Sequence, residues 1–189
     1  MTPMLKRLFG ISTHTAAGSD DRGRRHLLSG DFEGAVADCT EALHLDPYCA
    51  GAYLHRGVAY VELGEAERAL DDFDAAARLE VNDARVYLHR GRAHDELGNI
   101  GRAIADYTLA IDLDPSLAEA RLLRGIDREE CGEYELAVAD LTEAIRLNSH
   151  DSDAYRCRAL ANRKLGHVEA ADADDRRADD LSNHDHAAA

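Results

Sequence analysis

A chain of 189 residues with 45% apolar content and a net charge of −15 can bury a core, and it contains no run of 18 apolar residues that would suggest a membrane span. So acidic a balance argues against nucleic-acid binding, which needs a basic footprint. It points instead to a basic peptide or protein surface as the partner this field attracts.

The first feature along the chain is Met4-Leu5-Lys6-Arg7-Leu8-Phe9-Gly10-Ile11. On a helical wheel Met4, Leu5, Leu8, Phe9 and Ile11 share one side, with Lys6 and Arg7 opposite. The apolar stretch after the basic pair is far too short for a signal-peptide core. Residues 1–15 are expected to be a flexible basic-amphipathic tail. Docking on the protein's own groove, docking on a partner and contact with a membrane surface are the alternatives, and no firm membrane association is expected.

A helix is predicted near Ala16–Ser29. Gly18, Ser19, Asp20 and Gly23 all weaken it, so it is expected to fray or to serve as a cap. From here a period of 34 residues takes over. Glycine recurs at Gly30, Gly64, Gly98, Gly132 and Gly166, and alanine at Ala35, Ala69, Ala103, Ala137 and Ala171. Leucine follows at Leu45, Leu79, Leu113, Leu147 and Leu181. Such a period means stacked supersecondary units, each too small to bury its own apolar face.

The unit from Ala50 to Asp83 shows the pattern best. Tyr53, Gly57, Tyr60 and Leu63 share one helical face, and Gly64 ends that helix in a turn. Ala66, Ala69, Leu70, Phe73, Ala76, Ala77 and Leu79 form a second helical stripe. Gly57, Ala69 and Ala76 are small where two helix backbones must approach closely. Pro47 and Pro115 close the first and third units. The predicted unit is helix–turn–helix.

These residues resemble the tetratricopeptide repeat (TPR) family. Its pattern reads here as Tyr53, Gly57, Tyr60, Gly64, Ala69, Phe73, Ala76, and again as Tyr87, Gly91, Gly98, Ala103, Tyr107, Ala110, Pro115. The departures are Ser19 and Arg121 at the first aromatic, and Val81 and Ser149 at the proline; local loosening is expected there. The resemblance implies an all-α, right-handed helix–turn–helix solenoid of five 34-residue units, 16–49, 50–83, 84–117, 118–151 and 152–185. Residues 186–189 form a disordered tail in this reading. Asn183-His184-Asp185-His186 is expected to be unstructured too, and the acidic run from Ala170 to Arg177 to be a solvating terminal helix.

By the same resemblance the first helices of the units line a concave face. The groove positions it implies are Leu54, His55 and Val58, then Arg85, Leu88, His89 and Arg92, then Leu122, Leu123 and Ile126, and Arg156. They lie off the Tyr53–Gly57–Tyr60 packing face, and a solvent-facing stripe with this many apolar residues marks a binding groove. Family members that grip a chaperone's terminal carboxylate use lysine and asparagine at these positions; leucine and histidine stand here instead.

Two polar columns also keep the period. Arginine stands at Arg22, Arg56, Arg90, Arg124 and Arg158, and aspartate at Asp38, Asp72, Asp106, Asp140 and Asp174. A guanidinium beside the close-packed glycine must find an acceptor, so an Arg–Asp ladder between helices is expected. No phosphate loop, dinucleotide fingerprint, metalloprotease pair or nucleophile–base signature occurs, and no catalytic residue, cofactor or metal is expected. Cys39, Cys49, Cys131 and Cys157 include no C-x-x-C and read as free thiols of a cytoplasmic protein. The expected function is a non-catalytic adaptor binding a peptide or helix of a partner. The alternative is a self-assembling module, with a homodimer as its simplest form.

Overall fold

A computed structural model describes residues 15–187, with side chains through Asn183. Ten helices make up the described residues: α1 (Ala16–Ser29), α2 (Phe32–Leu45), α3 (Ala50–Glu62), α4 (Ala66–Leu79), α5 (Ala84–Glu96), α6 (Ile100–Leu113), α7 (Ala118–Glu130), α8 (Tyr134–Leu147), α9 (Ser152–Lys164) and α10 (Val168–Ala187). No strand occurs among them. The chain divides into two compact units, 1–99 and 100–189. In the first, α1 packs on α2, α3 on α4, and α1, α3 and α5 are neighbours in sequence of repeats. In the second, α7 packs on α8, α9 on α10, and α7 also meets α9.

Two glycine columns serve two different physical needs. Gly64 has φ 74°, a left-handed conformation that side chains disfavour, while an added Cβ there would meet nothing within 4 Å. Gly64 donates to Val61 O at 2.8 Å and Glu65 to Tyr60 O at 2.8 Å, the paired bonds that close a helix C-terminus. Gly57 is the opposite case. It sits inside α3, and a Cβ there would stand 2.6 Å from Phe73 Cε1 of α4. Phe73 is fully buried, so the ring has nowhere to go.

Arg22, Arg56, Arg124 and Arg158 form the expected ladder with the aspartate column, and the arginines do more. Arg56 grips Asp72 with Nε and Nη2, both at 2.7 Å, and donates through Nη1 to Thr40 Oγ1 at 3.1 Å. One guanidinium on α3 thus ties α2 to α4. Arg124 repeats the arrangement with Asp140 and Thr108, and Arg158 with Asp174 and Thr142. Arg90 bonds Asp74 at 2.8 Å, the residue that stands in the threonine column of its unit. Arg22 meets Asp38 at 3.1 Å and Glu41 at 2.5 Å. The third column, Thr40, Asp74, Thr108 and Thr142, also keeps the period of 34 and was legible in the sequence.

Three expectations are corrected. Helix α1 is regular from Ala16 to Ser29, capped by Thr15 accepting from the Gly18 amide. The low propensity of Gly23 is offset by its role as a close-approach residue: a Cβ there would lie 2.4 Å from Cys39 Sγ. Ser19 loosens nothing, being fully buried and bonded to Glu41 and Arg22 at 3.2 Å each. At the other end α10 runs to Ala187, so 183–187 are helical where coil was expected. Leu181, 7% exposed, and Ser182, which accepts from Arg156 at 2.9 Å, continue its packed stripe. Segment 4–11 lies outside the described residues.

Candidate functional site

The first unit holds an open cleft of about 450 Å³ along α1, α3 and α5. Its apolar surface comes from Leu27, Leu28, Phe32, Leu54 and Val58, and its polar edge from Arg24, His55, Glu62, Arg85 and His89. Helical spacing explains the α3 contribution, since Leu54, His55, Val58 and Glu62 fall on adjacent positions of one helix face. Leu28 is 76% exposed, a large apolar side chain with its surface open to solvent.

Each charged group around the cleft already has an opposite charge. Arg24 meets Asp21 at 2.9 Å, Arg85 holds Asp83 at 2.7 Å and Arg92 approaches Glu62 at 3.6 Å. His55 Nδ1 lies 2.6 Å from Asp20 Oδ1. The hydrogen bonds from Arg85 hold the Asp83 carboxyl below the usual carboxylate range. His89 stacks on Phe73, with ring centroids 6.2 Å apart. Burial first, then the neighbouring guanidiniums of Arg92 and Arg85, push its pKa down to about 4, so it is neutral at physiological pH. What remains for a ligand is an apolar floor with a self-neutralised edge.

Of the groove positions proposed from sequence, Leu54, His55, Val58, Arg85 and His89 come together in this cleft. Leu88 and Arg92 belong to the same unit but are not among its lining, and Leu122, Leu123, Ile126 and Arg156 belong to the second unit. The expectation of a solvent-exposed apolar row needs correction at two places. Leu54 and Leu88 are each only 4% exposed; Leu54 belongs to the buried cluster that includes Phe73 and Val86 and shows the cleft only its outer edge. In the second unit Leu122, Leu123 and Ile126 are half-buried, and Arg156 is exposed.

Sequence reasoning missed Leu27, Leu28 and Phe32. A signal existed in the repeat alignment. Later units carry Val61-Glu62, Asp95-Glu96, Glu129-Glu130 and Arg163-Lys164 at the positions of Leu27-Leu28. Only the first unit places an apolar pair there, and that pair makes one wall of the cleft.

Models of the tetratricopeptide repeat match residues 26–94 and 84–117. No curated protein sequence matches the chain. Among solved structures, a crystal structure of MamA is 23% identical with a TM-score of 0.78, covering 86% of this chain and 95% of MamA. MamA residues 41 to the end, from Desulfovibrio magneticus RS-1, give 18% identity and a TM-score of 0.79, with 89% and 96% covered. YrrB, described as a TPR protein with an unusual peptide-binding site, gives 20% identity and a TM-score of 0.74, with 93% and 91% covered. At these identities the likeness is one of fold: an all-α array of helical repeats.

Proposed function

We propose that this chain, which belongs to the tetratricopeptide repeat family, is a non-catalytic adaptor that takes an apolar helix or peptide of a partner protein in the cleft of its first unit. The observation that carries the reading is the Leu27–Leu28 wall, where Leu28 is 76% exposed beside a floor of Leu54 and Val58. A large side chain exposed next to a ready-made hollow stabilises little in the free protein. Covering it with a partner's apolar residues contributes roughly 1.5–3 kcal/mol for each large side chain buried.

The charge of −15 acts at longer range, raising the encounter rate of a basic partner. Within the cleft, the ion pairs at its edge leave apolar contact as the main source of affinity. The favoured ligand is therefore an amphipathic segment, apolar towards Leu28 and Val58 and basic on its outer side. YrrB, of the same fold, is described as having a peptide-binding site, which supports a peptide as ligand class. No helix of the described residues is long and apolar enough to cross a membrane.

Selection of displayed peptides on the intact chain tests the reading. Enriched sequences should carry two or three large apolar residues at helical spacing, and Leu28→Glu should abolish their binding while leaving the thermal melt unchanged. Enrichment of peptides whose binding survives Leu28→Glu and Val58→Asp would place the ligand elsewhere.

A further inference from the structure

The cleft lies within reach of the residues that precede α1. His55, on its lining, is bonded to Asp20, and Asp20 is five residues past Thr15, about 7.5 Å of helical rise. Extended backbone covers about 3.3 Å per residue, so Ser12, Thr13 and His14 span roughly 10 Å. A tether of that length spans the distance from Thr15 to the level of His55 on the cleft edge. The tether ends at Thr15, because Ala16, Ala17 and Gly18 are already helical.

The chemistry of the two surfaces also matches. The cleft offers Leu28, Leu54 and Val58; the segment offers Leu5, Leu8 and Phe9 on one side of a helical wheel. Lys6 and Arg7 fall on the other side of that wheel, complementary in charge to a chain carrying −15 and to Glu62 on the cleft edge. A segment of this kind is the ligand class argued above, already covalently attached.

We infer that residues 4–11 dock in cis into the cleft of α1, α3 and α5 and compete there with the partner. The inference rests on the cleft being the binding site, and it concerns how that site is regulated. A short tether gives an effective concentration on the order of 1 mM. If the free segment binds with a dissociation constant of about 100 μM, the attached copy weakens any outside ligand by about tenfold. Partner binding is then favoured only where the ligand is abundant or where the segment is itself drawn away.

The test uses the intact chain, its Leu8→Glu/Phe9→Glu form, and a synthetic peptide of residues 1–14 as the probe. The peptide should bind the doubly substituted chain about tenfold more tightly than the unsubstituted one, and adding Val58→Asp should abolish the binding. Should Val58→Asp impair folding, Leu28→Glu at its exposed position serves in its place. Equal affinity for the two chains, or binding to neither, overturns the inference. So does a dimer in sedimentation that the Leu8→Glu/Phe9→Glu change dissolves, which would place the segment on a second copy. Binding of the apolar dye anilinonaphthalene sulfonate separates the two levels of the argument. Dye bound by the substituted chain and lost with Leu28→Glu keeps the cleft as a site even when the peptide fails; loss of both signals removes the cleft as well.

Discussion

The two compact units carry the same repeat and differ where the repeat permits variation. Residues that set the packing are interchangeable between them: Gly57 against Phe73 in the first matches Gly125 against Leu141 in the second, and Arg56 with Asp72 matches Arg124 with Asp140. Residues on the open side of the first helices are not. His55 and His89 of the first unit correspond to Leu123 and Cys157 of the second, and Leu27-Leu28 to Glu129-Glu130 and Arg163-Lys164. The lesson is a division of labour inside each helix. One face is held constant by backbone approach and buried charge, and the other is free to diverge into a binding surface.

The ion-pair ladder offers the largest effect by which to break this comparison. Asp72 is 6% exposed at its side chain and gripped by Arg56, whereas Asp140 is held by both Arg124 and Arg128, at 2.6 Å each. Arg56→Ala should cost about 3–5 kcal/mol in urea unfolding, because it strands a buried carboxylate. Arg124→Ala should cost less, roughly 1.5–3 kcal/mol, since Arg128 stays in place. Replacing Arg56 and Asp72 together by Met and Leu should cost less than Arg56→Ala alone. Equal losses for the two single variants would show that the second arginine does not compensate.

Gly57→Ala and Gly125→Ala come next. The new Cβ would stand 2.6 Å from Phe73 in one unit and 2.8 Å from Leu141 in the other, and both neighbours are fully buried. Each change should cost about 1–3 kcal/mol, by similar amounts if packing is the conserved part. A melt unaffected by either would show that the helix pair can part without penalty.

Histidine gives the units different pH behaviour. The pKa of His89 is about 4 in the folded protein and near 6.5 in an unfolded chain. Between these values the unfolded state binds more protons, so stability rises with pH across that window and is lost as pH falls from about 6.5 towards 4. The slope from one such group is at most about 1.4 kcal/mol per pH unit. His89→Leu, which installs the residue found at Leu123, should remove that component from melts recorded between pH 4 and 7. An unchanged slope would assign it to other groups.

The thiols give the smallest effect, a difference of rate alone. Cys39 is buried and its pKa is raised to about 12 by that burial, whereas Cys131 is exposed. A maleimide at neutral pH should label Cys131 first and Cys39 only on unfolding. Early labelling of Cys39 would mean that α1 opens readily from α2.

Period and spacing determined the architecture. Ten helices, the glycine-closed ends of five of them and the Arg–Asp pairs were legible, because each depends on residues at fixed separations along one chain, and a repeat prints that dependence five times. The threonine column was equally regular and equally readable. The cleft was legible only in part. Leu54, His55 and Val58 share one helix face, so periodicity brings them together, but whether an apolar side chain on that face is covered depends on how closely the next helix lies. The folded chain leaves Leu54 and Leu88 buried and Leu28 open. The sequence likewise marked Gly18, Ser19 and Gly23 as poor helix formers, and local propensity does weigh against them. Tertiary packing overrode it, since Gly23 admits Cys39 and Ser19 completes the network of Arg22 and Glu41. Propensity is a small energy per residue, whereas a buried contact or a paired charge outweighs several such residues, and those contacts exist only once the helices have come together.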